Sequence, residues 1–203
     1  MIKLVLSYHI VLSAYGFWLP NDPRGSWSDF VWSRPLAQHG DATKTNARRS
    51  IANKMHNNEQ RHTAKQSLKH HPVLFEGIQA RAIARGFAKA KSINDLTIFA
   101  CAILTDHVHM VVKRHVQLWI EDMAARLKAN ATRLLTEENL HPFAAENRDR
   151  RGRLPTPWAE SFWQVYLNSD EDIRRSITYV ERNPLKDGLK SQRWSFVCPY
   201  VPA

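Results

Sequence analysis

Residues 4–13 alternate with period two. Leu4, Leu6, Tyr8, Ile10 and Leu12 take one parity; Val5, Ser7, His9, Val11 and Ser13 take the other. Apolar and β-branched residues on both parities predict a strand covered on both faces, hence a central one. Pro20, Pro23, Gly25, Pro35 and Gly40 then break the pattern, and a His-, Asn- and Lys-rich stretch follows over residues 48–71. This predicts an insertion at about 17–71, helical in part over residues 46–68. Its aromatics Trp18, Trp27, Phe30 and Trp32 are expected to pin the segment to the core. Val73, Phe75, Ile78, Ile83 and Phe87 recur as the buried stripe of a helix ending near Ser92. Residues 96–104 are apolar and β-branched, Thr105-Asp106 offers a turn, and residues 107–113 alternate again, which predicts a hairpin. Leu118, Met123, Leu127, Leu134 and Leu135 mark a second helix, followed by a polar, Arg-rich loop over residues 141–157 and a strand at 162–167. Asn168-Ser169-Asp170-Glu171-Asp172 supplies a cap and an acidic first turn. Ile173, Ile177 and Val180 then form the apolar face of a final helix, which Pro184 is expected to end.

Strand, insertion, helix, two strands, helix, strand, helix is an α+β order. It fits a ferredoxin-like, four-stranded antiparallel sheet with helices on one face, and a long insertion after the first strand. The expectation is one domain over 1–203. Of 203 residues, 43% are hydrophobic and 24% charged, which excludes wholesale disorder. Charge adds more: 29 Lys and Arg against 19 Asp and Glu give a formal +10, the footprint of a polyanion binder. Cys101 and Cys198 are far apart and have no CxxC neighbour, which argues against a zinc ribbon or disulfide framework and fits a cytoplasmic protein. Tyr8 and His9 interrupt the apolar start, so a secretory leader is not expected, and no run is long enough for a membrane span.

His107-Val108-His109 is the sharpest chemical signal. Residues i and i+2 of a strand share a face, so the two imidazoles project together and form half a site for a divalent cation. An exposed pair on an edge strand is the alternative. Tyr179 and Asn183 lie four apart on the final helix, on one side, and would offer a phenol nucleophile beside an amide oxygen ligand. An amphipathic boundary tyrosine and a helix-closing asparagine are the plainer reading. Arg148, Arg150, Arg151 and Arg153 crowd one loop suited to phosphate contacts, or to solvation. Trp158, Phe162 and Trp163 suit either base stacking or the core. His9 could lie near the histidine pair if the first strand is central, but it is expected to pack in the core.

Two stretches resemble a known family. Thr105-Asp106-His107-Val108-His109-Met110-Val111-Val112 looks like the HUH strand of the single-tyrosine transposases. Tyr179-Val180-Glu181-Arg182-Asn183-Pro184-Leu185-Lys186-Asp187-Gly188-Leu189 looks like their tyrosine helix, with the Asn-Pro turn typical of REP-associated tyrosine transposases. Tyr8-His9-Ile10, Trp18-Leu19-Pro20 and Arg24-Gly25-Ser26 also resemble members, whereas residues 29–71 depart from the pattern. The resemblance implies Tyr179 as nucleophile and His107, His109 and Asn183 as ligands of Mg²⁺ or Mn²⁺. It also implies single-stranded or hairpin DNA as partner and a 5′-phosphotyrosine intermediate. No ATP is expected, and no Walker motif occurs. A homodimer is left open, as are a non-catalytic nucleic-acid-binding module on the same fold and a metal-dependent hydrolase without a covalent step.

Overall fold

The computed structural model describes residues 4–26, 28–45 and 55–202. Its elements are β1 (Ser7–Ser13), α1 (Arg34–Ala37), α2 (Asn58–Gln66), α3 (Gly77–Asn94), β2 (Ile98–Ile103), β3 (His107–Lys113), α4 (Ile120–Glu137), β4 (Trp163–Leu167) and α5 (Asp170–Lys186). Two compact units divide the chain, residues 14–73 forming one, residues 1–13 with 74–203 the other. The helix expected over 46–68 is realised as α2, and its residues 46–54 lie outside the described residues. Among the described residues no helix is long and apolar enough to cross a membrane.

In the larger unit the four strands form one antiparallel sheet in the order β2-β3-β1-β4, the ferredoxin-like arrangement expected. β1 is central, as its double-sided pattern predicts. Its register places Ile10 opposite Met110 and Gln164, and Leu12 opposite Val108. With Tyr8, Ile98, Cys101, Ile103 and Val112 these positions form one face of the sheet, and α3 and α4 cover that side. Ile10, Leu12, Val108 and Met110 are wholly buried there, each contributing about 1.5–3 kcal/mol of transfer free energy.

The opposite parity faces α5. Ala100, Ala102, Val111 and Leu167 pack with Ile173 and Val180 of that helix, and Ile177 joins them. Helices on one face therefore describes α3 and α4 alone, while α5 lies across the other side. The small side chains Ala100 and Ala102 allow it to approach β2 closely.

α5 starts as its sequence dictates, with Ser169 as N-cap accepting from the Asp172 N–H and three acidic residues in the first turn. It does not stop at Pro184. The helix runs through it to Lys186, and the chain turns at Gly188, where φ is +72° and the Leu189 N–H bonds the Pro184 carbonyl at 2.8 Å. Near a helix end the missing proline N–H forfeits one hydrogen bond, and the glycine supplies the left-handed turn that closes the element.

Residues 14–73 have a small core of Leu19, Leu36 and Ala64 with Val31 and Leu68 against it. Beside it, Arg24 makes a bidentate pair with Asp22, both buried, and lies 3.6 Å over the Trp18 ring. Trp18 thus helps to hold the unit, but Phe30 and Trp32 are 64% and 86% exposed, so they do not pin the segment to a core. Trp27 lies outside the described residues.

Candidate active site

The sheet face beneath α5 carries the chemistry. His107 and His109 are on β3 with Val108 turned to the opposite core, as i, i+2 spacing requires. On β1, Val11 is the direct partner of His109, and His9 is opposite Val111. His9 and His109 are therefore diagonal neighbours on one face, within reach for long side chains.

The imidazoles meet. His107 Nε2 lies 3.0 Å from His109 Nε2, and His109 Nδ1 lies 3.1 Å from His9 Nε2. His107 Nδ1 is 2.7 Å from Asp106 Oδ1 at the hairpin turn. His9, expected as core packing, is indeed buried, but its ring belongs to this cluster, with Trp163 edge-on at 5.5 Å.

Tyr179 of α5 closes the group from above. Its ring centroid is 5.4 Å from that of His109 and 5.6 Å from that of His9, and the residue is 40% exposed, so the phenol borders both the cluster and solvent. One turn on, Asn183 is buried, and its amide nitrogen has no hydrogen-bond partner. An orphaned amide N–H of this kind is a donor that a phosphate oxygen would satisfy, whereas a cation would have to be met by the Oδ1 of the same amide. A further turn on, the Lys186 ammonium lies 4.5 Å from the centre of the Tyr179 ring. Expecting the helix to end at Pro184 hides this lysine. Continuing the helical period from 179 through 183 to 186 would have found it.

Burial disfavours positive charge on His9 and His109. It pushes His9 down to about 4. Burial, then the neighbouring His107, His9 and Lys186, hold His109 well below the ordinary histidine range. Neutral imidazoles are the form that binds a metal. Two ring nitrogens 3.0 Å apart lie close enough to share one cation at metal–nitrogen bonds of about 2.1 Å. Among the described residues no three His, Cys, Asp or Glu side chains gather to hold a metal, so other donors must complete any shell on the pair.

The other tyrosines of the larger unit are elsewhere. Tyr8 and Tyr166 are cross-strand partners on the opposite parity, with ring centroids 5.8 Å apart, and Tyr200 bonds Asp170 and packs on Phe99. Trp158 is core: it is buried beside Phe75 and Phe87, with its indole N–H on Thr132 Oγ1. Phe162 is half-buried.

The arginine loop is exposed, and two of its four side chains are engaged within it. Arg148 donates to the Gly152 carbonyl and Arg153 pairs with Asp149. Arg150 and Arg151 are exposed.

No curated protein matches the sequence. Among solved structures, a REP-associated tyrosine transposase bound to a REP hairpin matches with a TM-score of 0.50 at 12% identity, covering 97% of this chain and 78% of that one. A putative transposase from Deinococcus radiodurans matches at 14% identity over 88% of this chain and 91% of that one, with a TM-score of 0.37. The family described as "Transposase IS200 like" matches residues 44–183, more than half of the sequence. The chain belongs to the IS200-like transposase family.

Proposed function

We propose that this protein cuts and rejoins single-stranded DNA near hairpins formed by palindromic repeats, through a 5′-phosphotyrosine on Tyr179. The observation that carries the proposal is the packing of the Tyr179 ring 5.4 Å from His109, on the face that also presents His107, in a chain of a transposase family. The hairpin bound by the similar transposase supports the choice of partner. In this reading residues 1–203 are one catalytic domain carrying an inserted unit.

His107, His109 and Asn183 would hold Mg²⁺ or Mn²⁺, and a mixed set of imidazole and amide donors suits Mn²⁺ at least as well as Mg²⁺. When bound, the cation supplies polarisation of the scissile phosphate. Tyr179 Oη attacks phosphorus and loses its proton to solvent, the P–O3′ bond breaks, and the departing 3′-oxygen takes a proton from solvent to leave as a 3′-hydroxyl. The Lys186 ammonium beside the ring stabilises the negative charge that grows on the phenol oxygen. Attack by a 3′-hydroxyl on the phosphotyrosine reverses the step, so the phosphodiester is conserved and no nucleotide cofactor is needed. Arg148, Arg150, Arg151 and Arg153 would meet backbone phosphates away from the reacting centre.

The test is incubation of the protein with labelled single-stranded hairpin DNA and Mn²⁺, followed by denaturing electrophoresis. A protein-linked fragment mapping to Tyr179 is expected. Tyr179→Phe should abolish it while DNA affinity stays within about threefold, since only the attacking oxygen is removed. DNA binding without any adduct would point instead to a non-catalytic binding module. Metal-dependent cleavage without an adduct would point to hydrolysis by water.

A further inference from the structure

We infer that His9 and Asp106 are positioning residues for the two-histidine site, each holding the Nδ1 proton of one imidazole so that both Nε2 lone pairs face the same cation. The inference rests on the proposed metal site and concerns what orients it.

A neutral imidazole carries one N–H and one lone pair, and its ligating nitrogen must be the one without the proton. The Nε2 atoms of His107 and His109 face each other at 3.0 Å. Without a cation, one ring donates its Nε2 proton to the other across that distance; a cation shared by the two nitrogens needs both lone pairs and so requires that proton to sit on Nδ1. In the cation-bound site both protons therefore belong on Nδ1. Each Nδ1 has an acceptor in place: Asp106 Oδ1 at 2.7 Å from His107, and His9 Nε2 at 3.1 Å from His109. His9 can accept only as the tautomer protonated on its own Nδ1, so one hydrogen bond fixes the protonation pattern of two rings.

The two partners differ. Asp106 comes from the turn before β3 and gives a carboxylate–histidine pair. His9 comes from the central strand and is a neutral acceptor, walled in by His109, Trp163 and Tyr179. A ring so enclosed is better suited to orienting a ligand than to carrying a cation that must also meet water and phosphate. Outer partners of this kind raise ligand basicity and fix ring orientation, and their removal typically costs about 10- to 100-fold in metal affinity.

The experiment is Mn²⁺ binding to the full chain without DNA, followed by the electron paramagnetic resonance signal of free Mn²⁺, beside imidazole ¹⁵N shifts of the protein loaded with diamagnetic Mg²⁺. Wild type should take up one Mn²⁺, His107→Ala should lose it, and the shifts should place the His109 proton on Nδ1. His9→Phe and Asp106→Ala should weaken binding by about 10- to 100-fold. His9→Gln and Asp106→Asn, which restore an acceptor oxygen, should recover most of the loss, a rescue that simple packing would not produce. If wild type binds Mn²⁺ and both His9→Phe and Asp106→Ala bind it within twofold, the inference falls and the metal site stands. If wild type binds none, both fall. Should His9→Phe fail to fold, the wild-type shifts still decide: a His109 proton on Nε2 overturns the assignment.

Discussion

At the scale of single residues, Tyr179 has a partner in Lys186 that no short motif marks. Its ammonium lies 4.5 Å from the ring centre, close enough to favour the phenolate as charge develops during attack. The lysine is also exposed, so water screens the effect, and a loss of roughly tenfold is expected where a buried donor would give more. Lys186→Gln should therefore slow single-turnover adduct formation by about that factor. The apparent affinity for DNA should change less than the rate, and Lys186→Arg should restore most of it. Melting temperature should not move, because an exposed lysine at a helix end contributes little packing. Equal losses in binding and rate would mean that Lys186 holds a phosphate and does not act on the phenol.

At the scale of elements, the strands and the three long helices are legible because each buries a face whose period can be counted. What cannot be counted is register. That His9 joins His109 follows from Val11 pairing with His109 across β1 and β3, a long-range fact that local pattern does not encode. The course of α5 beyond Pro184 is hidden for another reason: a proline near a helix end and a proline that ends a helix look alike in sequence. Helix contact is a third blind spot. Gly86 reads as an unremarkable interruption of a helical stripe, yet a Cβ built there would lie 2.5 Å from the Ala131 Cα and 2.7 Å from its nitrogen. α3 and α4 thus cross backbone to backbone, and Asn130 and Ala131 are buried at the crossing. In an open helix, Gly to Ala stabilises by up to about 1 kcal/mol. Here the sign should reverse: Gly86→Ala should destabilise by roughly 1–3 kcal/mol, because the clash is with backbone that cannot turn aside. Chemical denaturation would measure it. A variant as stable as wild type would show that the two helices can separate without loss.

At the scale of the whole molecule, the +10 net charge must be placed before it explains binding, and the loop at residues 148–153 divides its own charge unequally. Arg153 is offset by Asp149, and Arg148 is spent on the Gly152 carbonyl, whereas Arg150 and Arg151 are exposed with no such partner given by the loop. Neutralising a phosphate of a single strand releases counterions, with a slope of about −0.7 in log affinity against log salt for each contact. Arg150→Ala with Arg151→Ala should reduce that slope by up to about 1.4 and weaken binding of all sequences alike, since phosphate contacts carry no base information. Arg153→Ala should change it by less than half as much. That variant removes a charge already paired, and it frees Asp149 to repel the DNA, which lowers affinity without removing a contact. Titrations across a range of salt, on two unrelated hairpins, separate the two effects. An unchanged slope in the double variant would move the phosphate path off this loop and make the lysines and arginines of residues 14–73 the next ones to replace.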